Sequence, residues 1–390
     1  MQRPKVRFKG FTDDWEQRKL GEVFKEYSEK NHIELPALTI IQGGGTVKRD
    51  ESDRNLMYDK SNLSSYKMVK KDDFIVHLRS FEGGLEKASM DGIVSPAYHT
   101  FQGENVDSRF YYPYFRSHEF IKKKLIPHVY GIRDGRSIDI EGMKTIEIPY
   151  ISLKEQQLIG NYLDCIDSLI TFHQRKCEQT KKLKKYMLQK MFPKEGQTVP
   201  EVRFEGFTDA WEKRKFGDLG SVSMCRRIFK EQTATEGDIP FYKIGTFGGE
   251  PDAFISRALF EEYKEKYQYP EVGDMLISAS GTIGRTVEYA GEDAYFQDSN
   301  IVWFKHDDRV DNSFLKCIYS SVKWSGIEGS TIKRLYNDNF LKTEFSMPNA
   351  EEQKKIGEYF QNLDHLITLH QRKCDELQNI KKFMLQNMFI

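Results

Sequence analysis

Residues 155–192 read EQQLIGNYLDCIDSLITFHQRKCEQTKKLKKYMLQKMF, and residues 352–389 read EQKKIGEYFQNLDHLITLHQRKCDELQNIKKFMLQNMF. The two stretches align without a gap and are identical at 21 of 38 positions. Apolar residues recur about every 3.5 positions in both, which is the period of a coiled-coil seam. The pattern predicts two long helices, at 153–192 and 349–390, the first roughly 55 Å long.

Each predicted helix has one apolar seam, and such a seam needs a packing partner. Pro149 and Pro348 lie just upstream of the helices, and Pro193 ends the first one. A duplicated pair of helices packs naturally in antiparallel fashion, which would carry the two attached bodies to opposite ends. Two alternatives are that each helix folds back on its own domain or that it pairs with a helix of another chain.

The repeat extends beyond the helices. Residues 4–23 (PKVRFKGFTDDWEQRKLGEV) and 200–219 (PEVRFEGFTDAWEKRKFGDL) are identical at 13 of 20 positions, whereas residues 24–152 and 220–348 share almost no similarity. The chain therefore contains the same arrangement twice: a repeated opening (4–23 and 200–219), a variable body (24–152 and 220–348) and a repeated helix. This organisation suits a symmetric scaffold that carries two different binding surfaces.

Short β-like runs separated by turn residues, such as Phe74-Ile75-Val76 and Ile301-Val302-Trp303, predict mixed α/β bodies. The expected fold class is α/β (α+β): two tandem domains joined by two long antiparallel coiled-coil helices with pseudo-two-fold symmetry. The expected boundaries are domain 1 at 1–152, helix 1 at 153–192, a linker at 193–199, domain 2 at 200–348 and helix 2 at 349–390.

Composition indicates a soluble cytoplasmic protein, because no run of about 18 apolar residues and no apolar leader is present. The five cysteines include no CxxC pair, so neither a disulfide framework nor a zinc site is expected. Residues 1–199 carry 34 basic and 28 acidic side chains, and residues 200–390 carry 25 and 31. Any affinity for nucleic acid must therefore be local or shared with basic partners.

Two segments of the bodies resemble corresponding loops, DFIVHLRSFEGGLEKA (73–88) and DMLISASGTIGRTVEYA (274–290). Exposed loops on a rigid sheet can carry polar and aromatic side chains to base edges and phosphates. The candidate DNA-contacting residues are Arg79, Lys87, Tyr98, His99, Arg133 and Arg136 in the first body, and Ser280, Thr282, Arg285, Gln297, Asn300, Lys333 and Arg334 in the second. For each of them a surface or structural role is the alternative.

The constant parts contain further candidates, for which a structural role is favoured. Phe8, Phe11 and Trp15 recur as Phe204, Phe207 and Trp211, and identical copies cannot distinguish two half-sites, so packing is favoured over base stacking. The lysines at 181–185 form either a solvated face or a phosphate-contacting stripe.

Motifs for catalysis are missing from the sequence. There is no GxxxxGK[ST] phosphate loop and no Asn/Asp-Pro-Pro-aromatic tetrapeptide of amino-methyltransferases. The glycine clusters at 43–45 and 281–284 are interpreted as turns, and no Ser, Cys or His belongs to a credible nucleophilic site. We expect neither a catalytic centre nor a bound cofactor or metal in this chain.

The repeated strings resemble those of the specificity subunits of Type I restriction-modification systems. FKGFTDDWEQRKLGEV and FEGFTDAWEKRKFGDL are similar to the openings of that family's two target-recognition domains. KEQQLIGNYLDCIDSLITFHQRK (154–176) and EEQKKIGEYFQNLDHLITLHQRK (351–373) resemble its conserved helices. The resemblance spans the whole chain, whereas the diverged bodies leave the recognised bases undetermined.

The resemblance implies a non-catalytic subunit that binds a bipartite double-stranded DNA target, with one half for each domain. It also implies docking of two methyltransferase subunits and of motor-nuclease restriction subunits, which would use S-adenosylmethionine, ATP and Mg²⁺. Two rival functions are a scaffold that binds only proteins, favoured by the neutral net charge, and a nuclease using dispersed acidic residues such as Asp274 and Glu288.

Overall fold

A computed structural model describes the chain at residues 3–52, 60–76, 85–130, 137–327 and 333–389. The chain divides into two compact units: unit 1 comprises residues 1–174 and 372–390, and unit 2 comprises residues 175–371. Both boundaries lie inside the long helices, at equivalent positions of the repeat. Each unit therefore combines one body with a part of each long helix.

In its described residues, unit 1 contains the first twelve strands and three short α-helices besides its parts of the two long helices. The strands are β1 (Glu16–Lys19), β2 (Phe24–Tyr27), β3 (Leu38–Ile41), β4 (Gly45–Lys48), β5 (Lys67–Val69), β6 (Phe74–Val76), β7 (Glu86–Lys87), β8 (Gly92–Val94), β9 (His99–Gly103), β10 (Val129–Tyr130), β11 (Ser137–Ile138) and β12 (Glu147–Tyr150). The helices are α1 (Leu20–Val23), α2 (Ser108–Phe115) and α3 (Ile140–Lys144), with a π-helix at Glu119–Leu125.

The long helix α4 (Leu153–Lys190) connects the first body to the second. The strands of unit 2 are β13 (Glu212–Lys215), β14 (Gly220–Ser223), β15 (Ile239–Tyr242), β16 (Phe254–Ile255), β17 (Met275–Ser278), β18 (Thr286–Glu288), β19 (Tyr295–Phe296), β20 (Ile301–His306) and β21 (Glu344–Met347). The remaining helices are α5 (Arg257–Lys266), α6 (Asn312–Ser321), α7 (Asn337–Lys342) and the long α8 (Ala350–Met388).

The same four-stranded antiparallel sheet occurs in both bodies. Its strand order is β2-β9-β6-β7 in unit 1 and β14-β20-β17-β18 in unit 2. In the central pairs Phe74 is opposite Phe101, and Leu276 is opposite Trp303. β6 and β17 are buried along their whole length, which fits their apolar runs Phe74-Ile75-Val76 and Met275-Leu276-Ile277 without alternation. Two nearly unrelated sequences therefore build one sheet topology.

A two-stranded ladder ties each repeated opening to the start of a long helix. β1 pairs with β12, placing Gln17 opposite Pro149, and β13 pairs with β21, placing Lys213 opposite Ser346. Both partner strands end two or three residues before a long helix begins. The opening and the helix are thus fixed to each other although they are far apart in sequence.

Aromatic residues of the openings pack inside their own unit. The rings of Phe8 and Tyr162 are 5.6 Å apart, edge to face, and Phe204 and Tyr359 repeat the contact at 6.0 Å. Trp15 is only 2% exposed and contacts Phe110. Its copy, Trp211, is equally buried against Phe314. The interpretation as packing groups is confirmed for Phe8, Trp15 and their copies, and for Phe11 and Phe207 it stays a prediction.

The two long helices run antiparallel, and their contacts in unit 1 define the register. Ile166, Ile170 and Cys374 form a buried cluster, with the Cys374 sulfur 3.6 Å from the Ile170 carbonyl oxygen. The Lys381 ammonium lies 2.5 Å from the Asp167 carboxylate. Residue numbers thus rise along one helix as they fall along the other, from Ile170–Cys374 to Asp167–Lys381. The helices are antiparallel, which confirms the predicted orientation.

Unit 2 makes the equivalent contacts with the other halves of the helices. Lys184 lies 2.5 Å from Asp364, and Cys177 approaches the Ile367 carbonyl oxygen. These residues are the repeat copies of those in the contacts of unit 1. Lys184, one of the lysines considered above as a phosphate stripe, is therefore used in the helix pair.

Candidate nucleic-acid interface

The turn between β17 and β18 carries three of the residues predicted to contact DNA. The Ser278 hydroxyl donates a hydrogen bond to the Thr282 carbonyl oxygen (2.5 Å) and accepts one from the Arg285 amide (2.9 Å). The Gly284 amide donates to the Ser278 carbonyl oxygen, and its φ of +91° favours glycine. The turn is thus held by its own hydrogen bonds, with Thr282 and Arg285 exposed and Ser280 buried.

Three segments of unit 2 meet at Ala279. Its amide donates to the Asn300 carbonyl oxygen (2.8 Å), and its carbonyl oxygen accepts from the Leu335 amide (2.9 Å). The Gly281 amide donates to the Lys333 carbonyl oxygen (2.9 Å). We call residues 279–285, 297–300 and 333–339 the Ala279 surface. It brings together all seven residues predicted from the second body: Ser280, Thr282, Arg285, Gln297, Asn300, Lys333 and Arg334.

Two of these seven residues also have structural contacts. The Gln297 side-chain oxygen accepts a hydrogen bond from the Ile244 amide (2.9 Å), which fixes the end of β15. The Arg285 guanidinium donates to the Phe247 carbonyl oxygen (2.8 Å). These contacts position the loops. Direct contact of either side chain with DNA stays a prediction.

A groove of about 660 Å³ lies along the Ala279 surface. It is lined by Arg334, Tyr336, Asn337 and Ser299, whose φ of +53° is uncommon outside glycine. Lys333 and Arg334 are exposed, and neither is paired with a carboxylate in the part of the chain that the structure describes. Guanidinium, amide and phenol groups are the donors and acceptors that read base edges.

Sequence reasoning missed Tyr336 and Asn337, which line the groove beside the predicted Arg334. Tyr336 is 49% exposed although it is a large aromatic residue. The string KRLYNDN (333–339) held a usable signal, because an aromatic residue and two amides lie within five residues after two cations. The same string also predicts the start of a helix, and α7 does begin at Asn337.

In unit 1 the described candidates are more dispersed. Lys87 on β7 lies 3.0 Å from Asp72, while His99 on β9 pairs with Glu26 at 2.5 Å. The strand β6 separates these two positions in the sheet. Tyr98 is half-buried, and burial raises the pKa of its hydroxyl group. The structure therefore does not gather these three side chains into one cluster as it gathers those of unit 2.

Three candidates of the first body, Arg79, Arg133 and Arg136, lie outside the described residues. Their proposed contacts with DNA stay predictions.

Glu26 shows how the described candidates of unit 1 are embedded in local ion pairs. It accepts from His99 and, at 2.7 Å, from Lys144. Burial opposes ionisation of Glu26, but the hydrogen bonds from Lys144 and His99 outweigh it and lower the pKa of the carboxyl group. The His99 ring is therefore already engaged by a carboxylate of its own unit.

The glycine amides of both clusters are already hydrogen-bonded within the chain. The buried Glu86 carboxylate accepts hydrogen bonds from the amides of Gly43 (2.8 Å) and Gly45 (3.3 Å) and from the Tyr112 hydroxyl (2.7 Å). In the second cluster, the Gly281 and Gly284 amides donate to backbone carbonyl groups. The glycine amides of both clusters therefore stabilise turns.

A metal site would need clustered His, Cys, Asp or Glu side chains, and a nuclease would need acidic residues such as Asp274 and Glu288. Within the described ranges, no three His, Cys, Asp or Glu side chains are grouped to hold a metal ion. The Asp274 carboxylate accepts a hydrogen bond from the Glu271 amide, and Glu288 is exposed on β18. Asp274 thus stabilises a turn. Among the described helices, none combines the length and the apolar character that crossing a bilayer requires.

Comparison with known proteins identifies a family along most of the chain. Residues 12–182 and 208–379 each match the model of the Type I restriction modification DNA specificity domain. A protein of Haemophilus influenzae named as a type I restriction enzyme specificity subunit is 39% identical over 326 residues, covering 80% of this chain and 81% of that protein. One of Methanocaldococcus jannaschii, named likewise, is 22% identical over 412 residues and covers 95% and 91%.

A solved structure shares the fold. The crystal structure of a Type-I restriction-modification system S subunit from M. genitalium covers 100% of this chain and 99% of its own, with a TM-score of 0.61 and 16% sequence identity. At that identity the likeness concerns the fold alone.

Proposed function

Because this chain belongs to the Type I restriction modification DNA specificity family, we propose that it binds a bipartite double-stranded DNA target. Each unit reads one half of the target, and the two long helices set the unread spacer. The two matched domains, at residues 12–182 and 208–379, would be the two readers.

The observation that carries this proposal is the sheet shared by two diverged sequences. Both bodies build the same four-stranded order, yet residues 24–152 and 220–348 have almost no sequence similarity. A conserved frame with unlike exposed loops is what two readers of different half-sites require, since base readout depends on the side chains that reach the groove. A duplicated enzyme would instead be expected to repeat its catalytic side chains.

The repeated contacts between the helices support their role as a spacer. Asp167 pairs with Lys381 in unit 1, and Asp364 pairs with Lys184 in unit 2. The same ion pair made twice fixes the register of the helices. Fixed register matters because the major groove returns to the same face of the duplex about every 34 Å.

Chemistry belongs to partner subunits in this proposal. Two methyltransferase subunits would use S-adenosylmethionine to modify adenine, and restriction subunits would use ATP and Mg²⁺. Support comes from the glycine clusters, whose amides are engaged by Glu86 and by backbone carbonyl groups. This chain would contribute recognition and docking, and no bond-breaking step.

The decisive experiment maps methylated adenines in cells that carry the partner methyltransferase with and without this chain. The expected result is a bipartite motif, methylated only when the chain is present. Methylation of the same motif without the chain would contradict the proposal.

Two further assays separate the rivals. A mobility shift that depends on a specific duplex, with the methyltransferase present, argues against a scaffold that binds only proteins. Robust metal-dependent cleavage of DNA by the chain alone would favour a nuclease.

A further inference from the structure

A second basic segment borders the Ala279 surface of unit 2. Residues 226–230 read RRIFK, and Ile228 and the preceding Cys225 pack in the hydrophobic core of the unit. The other side chains of the segment are exposed: Arg226, Arg227, Phe229 and Lys230. The segment is thus anchored at two points and presents three cations and one aromatic ring to solvent.

The backbone of this segment is held in place before any ligand binds. The Tyr295 hydroxyl donates to the Arg226 carbonyl oxygen (3.1 Å), and the Phe229 amide donates to the Gln232 side chain (2.9 Å). The Arg226 guanidinium lies 5.2 Å from the centre of the Tyr267 ring, within cation–π range. A preformed segment loses little conformational entropy on binding.

The segment is continuous with the groove described above. Arg227 donates to Asp298 (2.9 Å), and the next residue, Ser299, lines the groove together with Met224. The Arg227 side chain is still 60% exposed in this contact. Asp298 therefore fixes the direction of Arg227 at the rim of the groove without burying it.

The local charge differs in sign from that of the surrounding half of the chain. Residues 200–390 have six more acidic than basic side chains. Around the groove, however, the three cations of the 226–230 segment join Lys333, Arg334 and Lys342, and these six face the carboxylates of Asp298 and Asp338. Concentrated cations beside polar groove residues are the arrangement of a nucleic-acid site, in which cations contact phosphates and polar side chains contact bases.

We propose that the 226–230 segment binds the phosphate backbone beside the second half-site, while Arg334 and Asn337 in the groove contact base edges. This inference rests on the proposed function. The segment supplies affinity that is independent of the DNA sequence, and the groove supplies discrimination between base sequences. Phe229 would pack against the sugar of an adjacent nucleotide.

The test uses the chain in complex with its methyltransferase subunit and measures duplex affinity by fluorescence anisotropy over a range of salt concentrations. The double variant Arg227→Gln/Lys230→Gln should bind target and non-target duplexes more weakly by a similar factor. Its plot of log affinity against log salt should be shallower by about two, one for each lost phosphate contact. Its methylated motif should be unchanged.

Asn337→Ala should behave differently. Discrimination at one position of the second half-site should fall roughly tenfold, with the salt dependence unaltered. The matched control is Lys213→Gln/Lys215→Gln, which removes two exposed lysines from β13, a strand that does not line the groove. Thermal unfolding of every variant verifies that the fold is kept.

An unchanged affinity and salt slope in the Arg227/Lys230 variant would overturn the inference, and the proposed function would stand if the wild-type complex still methylated a bipartite motif. Loss of methyltransferase binding, with normal salt dependence in the complex that does form, would assign the segment to a protein partner and also overturn it. If the wild-type complex bound no duplex preferentially, the proposed function itself would fail.

Discussion

Arg7 donates two hydrogen bonds to Glu155, from Nε to Oε1 at 2.6 Å and from the second terminal nitrogen to Oε2 at 2.8 Å. Arg203 binds Glu352 in the same bidentate way, at 2.7 and 2.8 Å. Each pair fastens a repeated opening to the first turn of a long helix. The Glu of the repeated Glu-Gln string therefore has a structural role in both units.

The adjacent glutamine completes this anchor. The Gln156 side chain accepts from the Asp107 amide and donates to the Ile151 carbonyl oxygen, both at 2.8 Å. Gln353 repeats the arrangement with the Asp311 amide and the Pro348 carbonyl oxygen. One dipeptide thus connects the opening, the body and the helix of a unit.

Glu155→Gln should lower the free energy of unfolding by about 3 kcal/mol, because it leaves Arg7 as a charge without its partner in a site with little solvent. The Glu155 side chain is only 2% exposed and that of Arg7 is 14% exposed. Urea denaturation of the purified chain, followed by circular dichroism, measures the change.

Glu16→Gln is the matched control, since it removes an equally short ion pair with Arg18 at the surface, where the side chains are 43–63% exposed. We expect a much smaller loss there, because water screens an ion pair between exposed side chains. Equal effects of the two substitutions would show that the Arg7–Glu155 pair does not anchor the helix.

Insertion of seven residues after both Gln174 and Gln371 should lengthen the preferred DNA spacer by about three base pairs. Seven residues add about 10 Å of helix and keep the seam on the same face. The two sites are repeat equivalents at the unit boundaries, so the contacts of each unit are kept. Methylome sequencing reads out both the spacer and the half-sites.

The same insertion in the linker at 193–199 should leave the spacer unchanged, because it lengthens neither helix. Altered half-sites with an unaltered spacer, after insertion into the helices, would contradict their role in setting the distance.

Exchange of residues 24–152 for the corresponding body of a relative should change one half of the methylated motif only. The reason is that the sheet of unit 1 and its loops all come from this segment. Reciprocal exchange of residues 220–348 should change the other half. A change in both halves after a single exchange would exclude independent reading.

Thiol labelling should distinguish Cys165 from the other four cysteines. Cys165 is exposed on α4, whereas Cys177, Cys225, Cys317 and Cys374 are buried. Burial also raises the pKa of Cys225 and of Cys317 to about 12, so their reactive thiolate forms are scarce at pH 8. Mass spectrometry after brief maleimide treatment should find one label on the folded chain and five after denaturation. Early labelling of Cys177 or Cys374 would contradict the packing of the helix pair.

The helices and the duplication were predictable because their signals are local or repetitive. An apolar period near 3.5 residues is visible in any window of α4 or α8, and the repeat is visible by comparing the chain with itself. The loop candidates of unit 2 were predictable in part. Residue types that suit DNA contacts pointed to Arg334. Tyr336 was missed although it lies two residues after Arg334, and the 226–230 segment was missed because nothing in the sequence indicates that it lies beside the groove.

The amino-acid sequence by itself determined that this chain contains two copies of one frame, each ending in a long amphipathic helix, and it indicated the family. Only the tertiary structure decided that the two diverged bodies share one sheet order, that residues 279–285, 297–300 and 333–339 meet, and that Arg227 pairs with Asp298 beside them. The physical reason is that strand pairing and loop contacts join residues far apart in the chain, and many different side chains satisfy the same pairing. Helical periodicity is a property of neighbouring residues, whereas a strand or a loop acquires its partners only when the whole unit packs.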